Sequence, residues 1–170
     1  AVSRVLDKVV ARVGDFCAVL VLIMAVLIVV EVFMRYVIGR PPLLADELSR
    51  YFLVAMTFLG ISYVWKQKGH VRVEALAQHI PRKRANQLRI LTLSLALIFS
   101  IALFAGSIDF IERSIDQSRT SDSWLHVPLV WPESTILIGF LLLSAQVLNS
   151  IWKAFGTIAS GGALEEEVTQ

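Results

Sequence analysis

Charge is scarce in this chain. Asp, Glu, Lys and Arg make up 18% of its 170 residues, against about 25% in an ordinary soluble domain. With 56% hydrophobic residues and a mean hydropathy of +0.68, the composition points to lipid rather than water as the solvent for much of the surface. Cysteine is reduced to Cys17, which has no internal disulfide partner and reads as a small apolar residue within a membrane span. The three histidines, His70, His79 and His126, lack metal-ligand spacing and fall on two sides of the expected membrane, which argues against haem or metal ligation. There is no glycine-rich phosphate loop, no nucleophile motif and no carboxylate pair at a membrane midplane. These absences predict a protein that is not an enzyme and carries no cofactor. The basic run Arg82 to Arg84 fits a membrane-flanking charge excess better than nucleic-acid binding.

What the chain has in abundance is apolar length. Four runs approach the roughly 20 residues that cross about 30 Å of hydrocarbon as a helix: 16–38, 43–65, 90–108 and 131–152. The expected fold class is therefore an all-α membrane protein with four transmembrane helices in a single domain, 1–155, followed by a flexible tail, 156–170. No small-x-small cleavage site follows the first run, so that run is expected to be retained rather than removed as a signal peptide. The turn at Gly39, Arg40, Pro41 and Pro42 is short and predicts that the first two helices form an antiparallel pair. Pro132 sits where proline is tolerated, in the first turn of a helix.

Basic residues set the orientation. With the N-terminus inside, the inner side receives Arg4, Lys8, Arg12, Lys66, Lys68, Arg72, Arg82, Lys83, Arg84, Arg89 and Lys153, eleven of sixteen. The outer side receives Asp46, Glu47, Asp109, Glu112, Asp116, Asp122 and Glu133. Both termini are expected to be cytoplasmic. Between the second and third runs, Val71, Val73, Leu76, Ala77 and Ile80 recur at near-helical spacing. They predict a short amphipathic helix over 71–80, lying in the inner interface with basic residues toward phospholipid headgroups; Lys68, His70, Arg72 and Glu74 belong to this segment.

The stretch Ala45 to Tyr51 places charge where a span begins. On a helix Asp46 and Glu47 both reach Arg50, Tyr51 lies one turn from Glu47, and Glu31 and Arg35 repeat the i,i+4 spacing on the first helix. Fifteen residues from Phe16 put Glu31 about 22 Å along its span, at a depth similar to that of Asp46 to Arg50. An unpaired charge deeper in the membrane costs about 2.5 to 3.5 kcal/mol on insertion scales. The expectation is an ion-pair cluster of Glu31, Arg35, Asp46, Glu47 and Arg50, with Tyr51 beside it. Such a cluster fixes the register of the first two helices or meets a partner's polar groups.

The order of residues from Leu43 to Leu76 resembles the small membrane subunit of tripartite ATP-independent periplasmic (TRAP) transporters, the DctQ-like family. The resemblance rests on Asp46 and Glu47, then Arg50 and Tyr51, then an apolar run ending in Phe58-Leu59-Gly60, then Gly69, His70, Val71, Val73 and Glu74. It continues more weakly from Trp124 to Phe140. Two places depart from the pattern: Leu44 and Ala55 stand where members often carry tryptophan. The resemblance implies a non-enzymatic subunit of the bacterial inner membrane, paired with a large membrane subunit that performs sodium-coupled symport of an organic anion. A periplasmic substrate-binding protein would deliver that anion. Arg40, Asp116, Arg119 and Asp122 are candidates for the outer face on which the binding protein docks. The rival reading is a small self-sufficient proton-coupled multidrug exporter using Glu31. A third is a four-span scaffold with unrelated partners.

Overall fold

The computed structural model describes residues 2–39, 43–67, 82–121 and 126–159. Helix α1 (Val2–Phe33) continues as one turn of π-helix, Met34–Ile38, and stops at Gly39, whose φ of 72° is the left-handed conformation that glycine adopts without strain. Helices α2 (Leu43–Lys66), α3 (Arg82–Asp116) and α4 (Val130–Ala159) are the others among the described residues. All four are long and apolar enough to cross a membrane. Among the described residues there is no strand, only an isolated bridge between Thr120 and Pro128.

Three helices outrun the apolar runs that announce them. Helix α1 begins at Val2, fourteen residues before Phe16; α3 spans Arg82–Asp116 rather than 90–108; and α4 continues to Ala159, through residues 156–159 expected as tail. At 32 and 35 residues, α1 and α3 measure about 48 and 52 Å, well beyond about 30 Å of hydrocarbon. Hydropathy marks only the stretch suited to lipid. The backbone stays helical past it because packing residues continue on the same face: along α1, Val10, Gly14, Cys17, Leu20, Met24, Leu27 and Glu31 recur every three or four positions as a buried or half-buried seam.

The helices meet in a row, in the order α1, α2, α4, α3, with α1 also touching α4. Helices α1 and α2 are antiparallel: Gly14 lies on the Tyr63 ring and Gly60 beside the Cys17 sulfur. The Gly14 contact is so close that a Cβ there would overlap the ring. Helix α4 presses equally hard on α2, where a Cβ on Gly139 would overlap the Phe58 carbonyl. The core follows from this order. Phe140, Leu143 and Val147 of α4 are buried between Phe58, Ile61 and Trp65 of α2 and Ala96, Leu97, Leu103 and Phe104 of α3. The Phe58 and Phe140 rings stand edge to face, with centroids 5.4 Å apart.

This topology puts the start of α1 and the ends of α2 and α4 at one end of the molecule, the terminal end. The α1–α2 turn and the α3–α4 connection lie at the other, the loop end. The described ends of that connection are held by backbone bonds. The amide of Arg119 donates to the Ser114 carbonyl and that of Ser118 to Ile115, both at 3.0 Å, with Ser118 itself at a φ of 46°; this is the six-to-one and five-to-two closure that commonly ends helices. Two bonds, Ser121 N to Val127 O at 2.9 Å and Leu129 N to Arg119 O at 3.1 Å, then fold the chain back into α4.

Candidate functional site

At the loop end, three i,i+4 contacts form. The Arg35 guanidinium donates to Glu31, that of Arg50 donates to Asp46, and the Tyr51 hydroxyl donates to Glu47 at 2.5 Å. Each closes within its own helix, as side chains one turn apart on a helix surface do. Burial separates them. Glu31 and Glu47 are buried, whereas the side chains of Asp46 and Arg50 are 62% and 74% exposed. Carried along two straight helices, the register set by Gly14 with Tyr63 and Cys17 with Gly60 brings Glu31 level with Asp46. Tyr51 also bonds with Ser121, tying α2 to the loop before α4.

Asp46 and Glu133 stand in the first turns of α2 and α4, where a negative charge is favoured by the helix dipole by about 0.3 to 1 kcal/mol. Glu133 looks in the sequence like one more acid outside a span, but its side chain is buried, and its Oε2 has no hydrogen-bond partner among the described residues. The hydroxyls of Ser49 and Ser114 are likewise buried, with no partner among the described residues. Asp116, the last residue of α3, and Arg119 are exposed at this end. Arg40 and Asp122 lie outside the described residues, as do Lys68, His70, Arg72, Glu74 and the whole of 71–80.

The terminal end holds an arrangement that sequence reading missed. Asp7 accepts from Gln146 Nε2 at 3.0 Å on one carboxylate oxygen and from Lys153 Nζ at 3.1 Å on the other. Its backbone carbonyl accepts from Lys66 Nζ at 2.8 Å. One residue of α1 thus gathers α2 and α4. A turn away, the Trp65 indole donates to Ser150 at 3.1 Å, and Ser150 donates to the Gln146 carbonyl at 2.9 Å. Two signals were available: Asp7 is an acid among Arg4, Lys8 and Arg12, and Gln146 is an amide inside an apolar run. In the sequence, Lys66 and Lys153 counted only as charges flanking a membrane.

Chemically the described residues offer anchoring and contact. They include no group of three or more His, Cys, Asp or Glu placed to hold a metal ion. The small residues are not all used for packing. Ser62 and Ser107 are buried with hydroxyls turned onto their own helix, while a Cβ on Gly106 would meet open space.

Comparison with known proteins is consistent with these features. Residues 24–157 match the family model for tripartite ATP-independent periplasmic transporters, DctQ component. The chain is 23% identical over 141 residues to the sialic acid TRAP transporter small permease protein SiaQ of Vibrio cholerae, covering 80% of this chain and 79% of that one. It is 26% identical over 131 residues to the ectoine TRAP transporter small permease protein TeaB of Halomonas elongata, covering 75% and 66%. A putative TRAP transporter small permease protein of Haemophilus influenzae is 26% identical over 91 residues, 54% of this chain and 56% of the relative. With four membrane-length helices and a family match over most of its length, the chain belongs to the DctQ component family of tripartite ATP-independent periplasmic transporters.

Proposed function

We propose that this protein is the small subunit of a TRAP transporter of the bacterial inner membrane and acts as a scaffold rather than an enzyme. It holds a large membrane subunit that carries out sodium-coupled uptake of an organic anion brought by a periplasmic binding protein. The observation that carries this reading is the open row of helices. Elements that meet pairwise along a line, with a thin core around Phe140, Leu143 and Val147, form a wall rather than a chamber, and a wall suits a subunit that braces another. The names of two relatives, which specify sialic acid and ectoine, support a small organic solute bearing a carboxylate. Both termini lie in the cytoplasm on the positive-inside argument, which places Asp116 and Arg119 on the periplasmic side for contact with the binding protein.

The exporter reading gains nothing from the geometry. Its coupling carboxylate, Glu31, is salt-bridged to Arg35 one turn on and stands near the end of α1, away from the midplane where such a site is built. The decisive experiment is purification of the tagged chain from its native host in mild detergent, followed by mass spectrometry and reconstitution. A stoichiometric large membrane chain, together with sodium-dependent uptake that requires the binding protein, is the expected result. Recovery of the chain alone, with transport that it performs unaided, would overturn the proposal.

A further inference from the structure

We propose that the open stripe of α2, formed by Asp46, Arg50, Leu53, Thr57 and Val64, is the face on which the large membrane subunit docks; this rests on the subunit reading above. Helix α2 lies between α1 and α4, so most of its circumference is covered. The residues left exposed recur at intervals of four, three, four and seven along one line, which is a single face of a helix. The Asp46–Arg50 ion pair stands on this face, turned away from the rest of the chain. Arg50 is seven residues into α2, about 10 Å from its start, where the chain would otherwise face lipid.

A second observation points the same way. Of the four spans α2 is the least apolar. A span poorly suited to lipid, whose one open line carries an ion pair, takes its cover along that line from another protein. The partner that fits presents polar groups to Asp46 and Arg50 near the loop end and aliphatic surface beside Leu53 and Val64. Thr57 needs nothing polar there, because its hydroxyl already donates to the Leu53 carbonyl at 2.7 Å.

Helix α4 shows what a lipid face looks like in this molecule. Trp131, Ile138, Leu141, Leu148 and Trp152 are exposed along one side of it. The two tryptophans are separated by about 32 Å of helix, close to the hydrocarbon thickness of about 30 Å, as in the aromatic belts that sit at both membrane interfaces.

The test uses the complex purified from the native host, with a photocrosslinking amino acid placed singly at Leu53, Thr57, Leu141 or Leu148. Crosslinks to the large membrane chain, identified by mass spectrometry, are expected from Leu53 and Thr57 and not from Leu141 or Leu148. A double variant, Asp46→Leu with Arg50→Leu, is expected to lower the large chain recovered per small chain roughly tenfold while the helical content of the small chain is unchanged. Crosslinks from α4 without α2 overturn the face assignment and leave the subunit reading standing. A double-leucine variant that keeps its full complement of large chain overturns it too, since removing charge from a lipid face is favourable. Absence of any large chain from the unmodified preparation overturns the subunit reading and this inference with it.

Discussion

Asp7 ties α1 to two other helices through three bonds. The Asp7→Ala substitution leaves Lys153 and Gln146 without their carboxylate; loss of a charged hydrogen-bonded group of this kind costs about 1.5 to 3 kcal/mol. The expected outcome is a lower thermal midpoint in detergent, measured by circular dichroism, with Asp7→Asn falling between because one amide oxygen still accepts. No change in either variant would show that the two carboxylate bonds contribute nothing; the Lys66 bond to the Asp7 backbone carbonyl survives in both. Ser118 makes the opposite prediction. Its left-handed backbone costs a residue with a side chain about 1 to 2 kcal/mol, and glycine removes that cost at the expense of a floppier unfolded chain. Ser118→Gly is therefore expected to raise the same midpoint by a degree or so, and a decrease would argue against the left-handed closure of α3.

The two close approaches at glycine have unequal consequences at the level of elements. On Gly139 a Cβ meets the backbone of α2 at Phe58, which can yield only by moving a helix; on Gly14 it meets the Tyr63 side chain as far in as Cγ, which must swing away as a whole but leaves the helix in place. Gly139→Ala is expected to destabilise by about 1 to 3 kcal/mol, Gly14→Ala by less, and Gly106→Ala, facing open space, by almost nothing. Equal losses at all three, read from detergent melting curves, would remove the α2–α4 contact as the special one. These contrasts mark the limit of what was legible beforehand. The number and kind of elements could be read from the apolar runs, and the i,i+4 pairs from spacing alone, because both depend on residues near in sequence. The length of α1 before Phe16 and the row order could not. They depend on which face Val10 and Gly14 present to a distant Tyr63, and no local pattern states that. Glu133 escaped notice for a related reason: its depth is set by the neighbours that α4 finds, and the first turn of a helix is an ordinary place for an acid.

For the molecule as a whole, the sidedness of charge is the property to measure. With Cys17 replaced by Ser, Arg119→Cys at the loop end is expected to react with a membrane-impermeant maleimide in intact spheroplasts. Arg4→Cys at the terminal end is expected to react only after permeabilisation. The reverse pattern would invert the orientation and move Asp116 and Arg119 away from any periplasmic partner. The distribution of basic residues makes this expectation available without coordinates. Which helix face meets protein and which meets lipid was not available, since apolar side chains are compatible with both.

The row of helices also bears on how the chain is built during synthesis. Helices α1 and α2 enter the bilayer as one hairpin, with contacts such as Gly14 on Tyr63 already within reach once residue 66 has emerged. Helices α3 and α4 enter as a second hairpin with its own antiparallel contact. The weld between them is the parallel seam of α2 against α4, and the last bonds to form are those that bring Gln146 and Lys153 to Asp7, more than 130 residues back along the chain. Until that seam closes, the polar ties at Asp7 are only part made, and it is the second hairpin, joined to the first within the same chain, that completes them.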